Sequence, residues 1–254
     1  MPSQTPFTQK LREARPLLGT LISLSAPEVS EMLSLAGFDW LFIDMEHSTL
    51  APADVQRHLQ AIRGDCNGLV RVAENNPVLI QQALDLGADG VIIPAVSTAQ
   101  EARQAVQWAN YPPTGNRSVG IGRAQEYGLT FADYVANAND TVAVIIQVEH
   151  IDAVHNLNEI LAVPGIDGVF IGPYDLSGSL NHLGDVHHPD VQAAIQTVKT
   201  SCANRHVPVG IFTRQPDAIA AEIASGTRFI AVGTDASFIW QSGKAIVDRF
   251  RDAV

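Results

Sequence analysis

The chain has 254 residues, a formal net charge of −11, 46% hydrophobic and 17% charged residues. That is too apolar for a disordered chain. With 16 Lys and Arg it is also too acidic for nonspecific binding to nucleic acid or an anionic membrane. If such a chain handles acids, its positive charge must be local, as one arginine or a metal ion.

The opening "MPSQTPFTQKLREARPLLG" is polar and lacks the apolar core of a signal peptide. Residues 1–17 read as an N-terminal extension. A strand "LGTLISL" (18–24) follows, then a helix "PEVSEMLSLAG" with Val29, Met32, Leu33 and Leu35 on one side. "WLFID" (40–44) precedes "PADVQRHLQAIR", and "LVRVA" (69–73) precedes "NPVLIQQALDLG". "GVIIP" (90–94) leads to "AQEARQAVQWAN". A break of about 30 residues, "YPPTGNRSVGIGRAQEYGLTFADYVANAND", then reads as a long loop. The alternation resumes with "TVAVIIQVE" (141–149) and "DAVHNLNEILAV", then "GVFIG" (168–172), a Gly-, Asn- and His-rich loop and "PDVQAAIQTVKTSCANR". "VPVGIF" (207–212) with "QPDAIAAEIASG", and "FIAVG" (229–233) with "ASFIWQSGKAIVDRF", complete the chain.

Eight strand–helix units in one chain of this length predict a single (β/α)₈ barrel domain spanning 1–254, of fold class α/β. Several strands are apolar throughout, as parallel strands covered on both faces are. A doubly wound open sheet is the rival, but the first βα turn has no G-x-G-x-x-G. Gly87, Gly165 and Gly226 sit where helices end, and Pro77, Pro189 and Pro216 where they start. No apolar run reaches the roughly 18 residues needed to span a bilayer. Cys66 and Cys202 are too few for a disulfide framework and read as reduced thiols of a cytoplasmic protein.

In such a barrel the chemistry stands at the C-terminal ends of the strands. Asp44 ends the second strand, with Glu46 and His47 after it; Glu46 reads as solvated. Arg71 lies within the apolar third strand and needs an anionic partner. That partner is either an internal carboxylate or a substrate. Gln147 and Glu149 are two apart and share a face with Ile145, so they point into the barrel. Asp175 follows the next strand, and with Glu149 it offers two carboxylates to a hard divalent ion; the alternative is a hydrogen-bonded cap on the barrel. His47, beside a carboxylate, has the surroundings of a general base. The remaining histidines considered, His150, His155, His182, His187, His188 and His206, read as solvated, and the pair His187–His188 shows no further ligand at suitable spacing.

"GFDWLFIDMEHS", "VRV", "ALDLGADGVIIP", "YPPTGNRSVG", "IIQVE" and "GVFIGPYDLSGSL", in this order over roughly 18–250, resemble the HpcH/HpaI aldolase family. The resemblance implies a class II pyruvate aldolase that reversibly cleaves a 4-hydroxy-2-oxo acid to pyruvate, or an analogue such as hydroxypyruvate, and an aldehyde. It implies Mg²⁺ or Mn²⁺, with Co²⁺ possible, on Glu149 and Asp175. It implies pyruvate binding by Gln147, Gly172 and the backbone around Tyr174 and Asp175, and Arg71 at the enolate oxygen. His47 is then the base, acting through a water. Asp85, which raises the basicity of that His in the family, sits at the opposite end of the barrel. It reaches His47 only from a neighbouring subunit, and Asp44 is the second candidate partner. The implied assembly is a homo-oligomer, a hexameric trimer of dimers, with the C-terminal helix in 235–254 exchanged. The long loop starts from the face away from the mouth, so like Asp85 it would serve a neighbouring subunit, and Arg123 on it is a candidate contact for the aldehyde. Two residues depart from the family pattern: Tyr174 where a small residue is usual, and Ser118 for a Gly.

Three rivals remain. A CoA-ester lyase of the citrate lyase β type shares the barrel, but His47 and the short chain oppose it. An isocitrate lyase or phosphoenolpyruvate mutase type lacks its Cys-bearing loop here. A non-catalytic barrel that serves as a binding module is the third. A Schiff-base mechanism is disfavoured, since Lys10, Lys199 and Lys244 stand at no strand end.

Overall fold

The strand segments pair in chain order, each parallel to the next, and the last closes on the first, in a computed structural model that describes residues 4–13 and 15–254. The elements run α1 (Phe7–Arg12), β1 (Leu17–Ile22), α2 (Pro27–Leu35), β2 (Trp40–Asp44), α3 (Pro52–Ala61), β3 (Asn67–Arg71) and α4 (Pro77–Asp85). Then come β4 (Gly90–Ile93), α5 (Ala99–Ala109), α6 (Phe131–Thr141), β5 (Ala143–Val148), α7 (Ile151–His155), α8 (Leu157–Ile160) and β6 (Gly168–Ile171). The chain continues with α9 (Pro173–Ser179), α10 (Pro189–Asn204), β7 (Val209–Thr213), α11 (Ile219–Ala224), β8 (Phe229–Thr234) and α12 (Asp235–Asp252). This is a (β/α)₈ barrel.

Side-chain alternation along each strand builds two cores. One set of residues faces the helices: Leu41 and Ile43, Val70, Val91 and Ile93, Val144 and Ile146, Val169 and Ile171. The other fills the barrel: Trp40 and Phe42, Leu69, Ile92, Ala143 and Ile145, Phe170, Phe229 and Ala231. The interior is largely aromatic, with Phe42 and Phe170 edge to face at 5.3 Å and Trp40 against Phe229 at 5.8 Å. Gly19 is required because a Cβ there would fall on the Trp40 indole. Within the N-terminal extension, α1 seats Phe7 on Trp40 and Phe229 and closes the bottom of the barrel.

Several expectations shift. β3 begins two residues earlier than the apolar run, at Asn67, and ends at Arg71, because Asn67 and Gly68 pair with Trp40 and Leu41. The long loop holds a 3₁₀ segment, Arg123–Gly128, and the helix α6, which packs Tyr134, Val135 and Ala138 onto the core. The buried side of α2 is Val29, Ser30 and Ser34, while Met32 is 61% and Leu35 70% exposed. Ser30 turns inward because its hydroxyl meets the buried imidazole of His58 at 2.8 Å, and burial pushes that imidazole below its usual pKa. The expected glycine and proline punctuation is present: Pro77 and Pro189 open α4 and α10, and Gly87, Gly165 and Gly226 have φ of 88°, 91° and 87°. Among the described residues, no helix is long and apolar enough to cross a membrane.

Candidate active site

Inside the barrel the alternation that places Phe42, Leu69, Ile145 and Phe170 in the core carries on, two residues later, to Asp44, Arg71, Gln147 and Gly172. These four positions form a layer at the mouth. β2 and β3 pair with Asp44 directly beside Arg71. The guanidinium grips the carboxylate with two parallel bonds, Nε to Oδ1 at 2.9 Å and Nη2 to Oδ2 at 2.8 Å. Both side chains are almost fully buried, at 9% and 2% exposure. The Arg71 cation also lies 5.0 Å from the centre of the Phe42 ring. Its remaining arm, Nη1, donates to Gln147 Oε1 at 3.4 Å. Arg71 is thus salt-bridged internally, and it is also one of the residues that line the mouth cavity.

Gln147 passes the network on, since its Nε2 donates to Glu149 Oε2. Glu149, one residue past β5, accepts the Ala95 amide on Oε1 at 2.6 Å. Ala95 has φ of 54°, the left-handed region that non-glycine residues seldom occupy, and this bond holds it there. Gly172 leaves room for the carboxylate: a Cβ there would lie 3.1 Å from Glu149 Cβ and 3.4 Å from Oε2. Asp175 stands exposed in the first turn of α9. That helix begins at the mouth without a side-chain cap on its first amides. A cavity of about 170 Å³ is lined by His47, Arg71, Gln147, Gly172, Tyr174 and Asp175, over a floor that includes Phe42 and Phe170.

Asp44 does not orient the His47 ring. Its Oδ1 accepts the backbone amides of Glu46 at 3.0 Å and His47 at 3.3 Å, so it shapes the turn that carries the histidine. The carboxylate facing the ring is Glu46, with Oε2 at 3.6 Å from His47 Nε2 and 3.2 Å from Arg71 Nε. The Arg71 Nε–H is aimed at Asp44, so Glu46 Oε2 is buried with no hydrogen bond among the described residues. Burial raises the Glu46 carboxyl above its usual pKa, against the pull of Arg71 and with a push from the charge of Glu149. Glu46 is thus part of the site and not a solvated residue. The signal available in the sequence was only its adjacency to His47.

Two site candidates lie elsewhere. Asp85, at the end of α4, holds the fully buried Arg117 at 2.6 Å. Arg117 in turn lies over Tyr111 at 4.5 Å. Arg123 donates to the carbonyls of Leu86 at 2.9 Å and Leu59 at 3.2 Å. It staples the long segment to the ends of α3 and α4, and those bonds leave its guanidinium engaged away from the mouth. Ser118 bonds Gln81 at 3.2 Å.

The sequence profile of the HpcH/HpaI aldolase/citrate lyase family matches residues 18–241. The chain belongs to that family. Within the family it is similar to a 2-dehydro-3,6-dideoxy-6-sulfogluconate aldolase of Pseudomonas putida, 40% identical over 240 residues, 93% of this chain and 92% of that one. It is also similar to a hydroxypyruvate/pyruvate aldolase of Roseobacter denitrificans, 38% identical over 96% of both chains. The crystal structure of a HpcH/HpaI aldolase/citrate lyase family protein from Burkholderia cenocepacia superimposes with a TM-score of 0.93 at 37% identity, covering 96% of this chain and 98% of that one.

One cluster in this HpcH/HpaI barrel was not foreseen. His182 and His188 are not separately solvated: their rings stack at 3.4 Å, and Asp190 Oδ2 lies 3.4 Å from His182 Nε2 and 3.7 Å from His188 Nδ1. The group lies outside the mouth cavity. His188 and Asp190 are brought together by the start of α10, where the Asp190 amide donates to His188 Nδ1 at 3.2 Å.

Proposed function

We propose that the mouth is a class II pyruvate aldolase centre, cleaving a 4-hydroxy-2-oxo acid reversibly to pyruvate, or a close analogue, and an aldehyde. Membership of the family and the similar aldolases support a carbon–carbon lyase. The observation that carries the finer reading is the continuous chain Asp44–Arg71–Gln147–Glu149 along one rim, with His47 and Asp175 on the same cavity.

Glu149 and Asp175 are the residues to hold a divalent ion, Mg²⁺ or Mn²⁺, with Co²⁺ as a further candidate. The fit rests on the donor set: Glu149, one residue past β5, and Asp175, exposed in the first turn of α9, are carboxylates on adjacent strand ends of the mouth. Hard carboxylate oxygens suit such ions. When bound, the ion supplies Lewis-acid polarisation of the ketone oxygen of the 2-oxo acid.

The chain's own groups do the rest. Amides of the first turn of α9, at Tyr174 and Asp175, with Gly172 giving clearance, receive the substrate carboxylate. His47 takes the proton from the C4 hydroxyl as the C3–C4 bond breaks and the aldehyde departs. The electron pair moves toward the C2 oxygen. Arg71 sets its fixed positive charge there, preorganised by Asp44, and loses nothing to reorientation. A proton is then delivered to C3 to give pyruvate. Gln147 keeps Arg71 and Glu149 in register.

We further infer a homo-oligomer, a trimer of dimers in which α12 crosses to a neighbour. The support is the apolar side of α12, where Ile239, Trp240, Ile246 and Phe250 are all at least 60% exposed. In that assembly Asp85 approaches a neighbour's His47, with Arg117 holding it in place. The partners are then small 2-oxo acids and aldehydes, not nucleic acid or membrane. A cytoplasmic setting suits the buried thiols of Cys66 and Cys202, each pushed up to about 12 by burial.

The test is pyruvate release from a panel of 4-hydroxy-2-oxo acids with and without EDTA, and from acyl-CoA esters beside them. Release abolished by EDTA and restored by Mg²⁺ or Mn²⁺ is expected. Activity that survives full chelation, or cleavage of the CoA esters alone, rejects the class II aldolase reading.

A further inference from the structure

Three turns at the bottom of the barrel repeat one device. In Gly37-Phe38-Asp39, Gly87-Ala88-Asp89 and Gly165-Ile166-Asp167 the aspartate stands just before β2, β4 and β6. Its backbone amide donates to the strand before it, to the carbonyls of Leu18, Gly68 and Val144 at 2.8, 2.9 and 3.0 Å. The side chain then returns to the same residue. Oδ2 of Asp39, Asp89 and Asp167 accepts the amides of Leu18, Gly68 and Val144 at 2.8, 2.8 and 2.9 Å. Each carboxylate thus satisfies the amide that stands ahead of the strand ladder, which starts one residue later.

The fourth turn, Gly226-Thr227-Arg228 before β8, has the same backbone. The φ of Gly226 is 87°, against 99°, 88° and 91° in the other three, and the Arg228 amide donates to the Val209 carbonyl at 2.7 Å. The ladder of β7 with β8 again starts one residue later, at Gly210 and Phe229. Here, however, a guanidinium stands in place of the carboxylate, and among the described residues no side chain accepts the Val209 amide. Val209 and Arg228 both line a cavity of about 620 Å³. Its one carboxylate, Asp167, is committed to the Val144 amide, and its Lys199 is matched by Glu222 at 2.6 Å. Arg228 reaches only the Arg15 carbonyl, at 3.4 Å. Arg12 and His206, which also line the cavity, make no ion pair or side-chain hydrogen bond among the described residues.

We propose that this cavity binds a small carboxylate-bearing molecule, whose carboxylate takes the place of the missing aspartate. One oxygen accepts the Val209 amide, and the Arg228 guanidinium matches the planar group. Arg12 and His206 favour a ligand with a second acidic group. The site lies at the N-terminal ends of the strands, at the opposite end of the barrel from the mouth. A ligand held there ties β8 to β7 as Asp39, Asp89 and Asp167 tie their own strands, and so stabilises the folded chain.

The experiment is a calorimetric titration of the full-length protein with succinate, and with inorganic phosphate beside it, for wild type, Arg228→Gln and Arg228→Asp. Arg228→Asp supplies the carboxylate from the chain itself, as in the other three turns. Wild type should bind succinate at a site that weakens about tenfold or more in Arg228→Gln and is lost in Arg228→Asp. Without ligand, Arg228→Asp should melt about 2 °C above wild type, through one added hydrogen bond. Succinate should raise the Tm of wild type more than that of Arg228→Asp. Succinate bound equally by wild type and both variants is binding at the mouth alone and overturns the proposal, as does a wild type that binds none. Phosphate bound more tightly than succinate overturns the carboxylate assignment. An Arg228→Asp protein that melts below wild type shows that the Val209 amide lacks no acceptor, and overturns the proposal as well.

Discussion

Under the proposed function Arg71 carries two duties, and a substitution cycle separates them. Its guanidinium is 9% exposed and bidentate to an Asp44 that is 2% exposed. Arg71→Met leaves a buried carboxylate without its partner, a change that costs about 3–5 kcal/mol. For a chain of this size that is a fall in Tm of roughly 6–20 °C. Adding Asp44→Asn removes the stranded charge, while the amide oxygen still accepts the Glu46 backbone N–H. The double variant should therefore regain most of the lost stability. It should not regain chemistry. Losing a fixed charge at a developing oxyanion costs on the order of 10²–10³ in rate, and a neutral pair does not replace it. Melting followed by circular dichroism reads the first effect, and deuterium exchange at the pyruvate methyl reads the second. A single variant that melts within 2 °C of wild type, taking about 1 kcal/mol as that shift, refutes the buried-pair reasoning. A double variant with wild-type exchange refutes the catalytic role.

His47→Ala should slow the same exchange at least tenfold, since a positioned base contributes roughly 10²–10⁴; unchanged exchange removes His47 as the base. Gly172→Ala adds a Cβ 3.1 Å from that of Glu149 and 3.4 Å from its Oε2, so Glu149 must shift. Activity and the apparent affinity for the activating metal should fall while Tm stays within a few degrees, and wild-type metal titration would count against Glu149 as a ligand. Asp167, which accepts the Val144 amide at 2.9 Å, is pushed by burial from 3.8 to about 6. The folded protein thus holds a proton that the unfolded chain releases near 3.8, so the stability from this group is present below about pH 4 and lost as pH rises through about 6. Asp167→Asn keeps the acceptor and stays neutral. Its Tm should gain on wild type between pH 4 and pH 7, and parallel Tm curves would show that Asp167 does not titrate in this window.

What the chain's local pattern encodes is which way a residue faces. Period-two alternation through "VAVIIQVE" was enough to point Gln147 and Glu149 into the barrel beside Ile145, and the strand–helix rhythm was enough to set a parallel closed sheet. The apolar frame around Arg71 likewise demanded a buried anion. Helix α6 stayed hidden because it lies inside an irregular segment whose turns mask its short apolar face. Partners are a different matter, because they depend on register between segments distant in the chain. Asp44 belongs to Arg71 because β2 and β3 align those two residues side by side, and this leaves Glu46 to face His47. Arg123 went to two helix-end carbonyls for the same kind of reason: a cation folded against a helix C-terminus finds unsatisfied acceptors there. The Val209 amide meets Arg228 and not a carboxylate only because closure of the barrel sets β7 against β8 in that register. Facing is a property of a few neighbouring dihedrals; pairing is a property of the closed sheet.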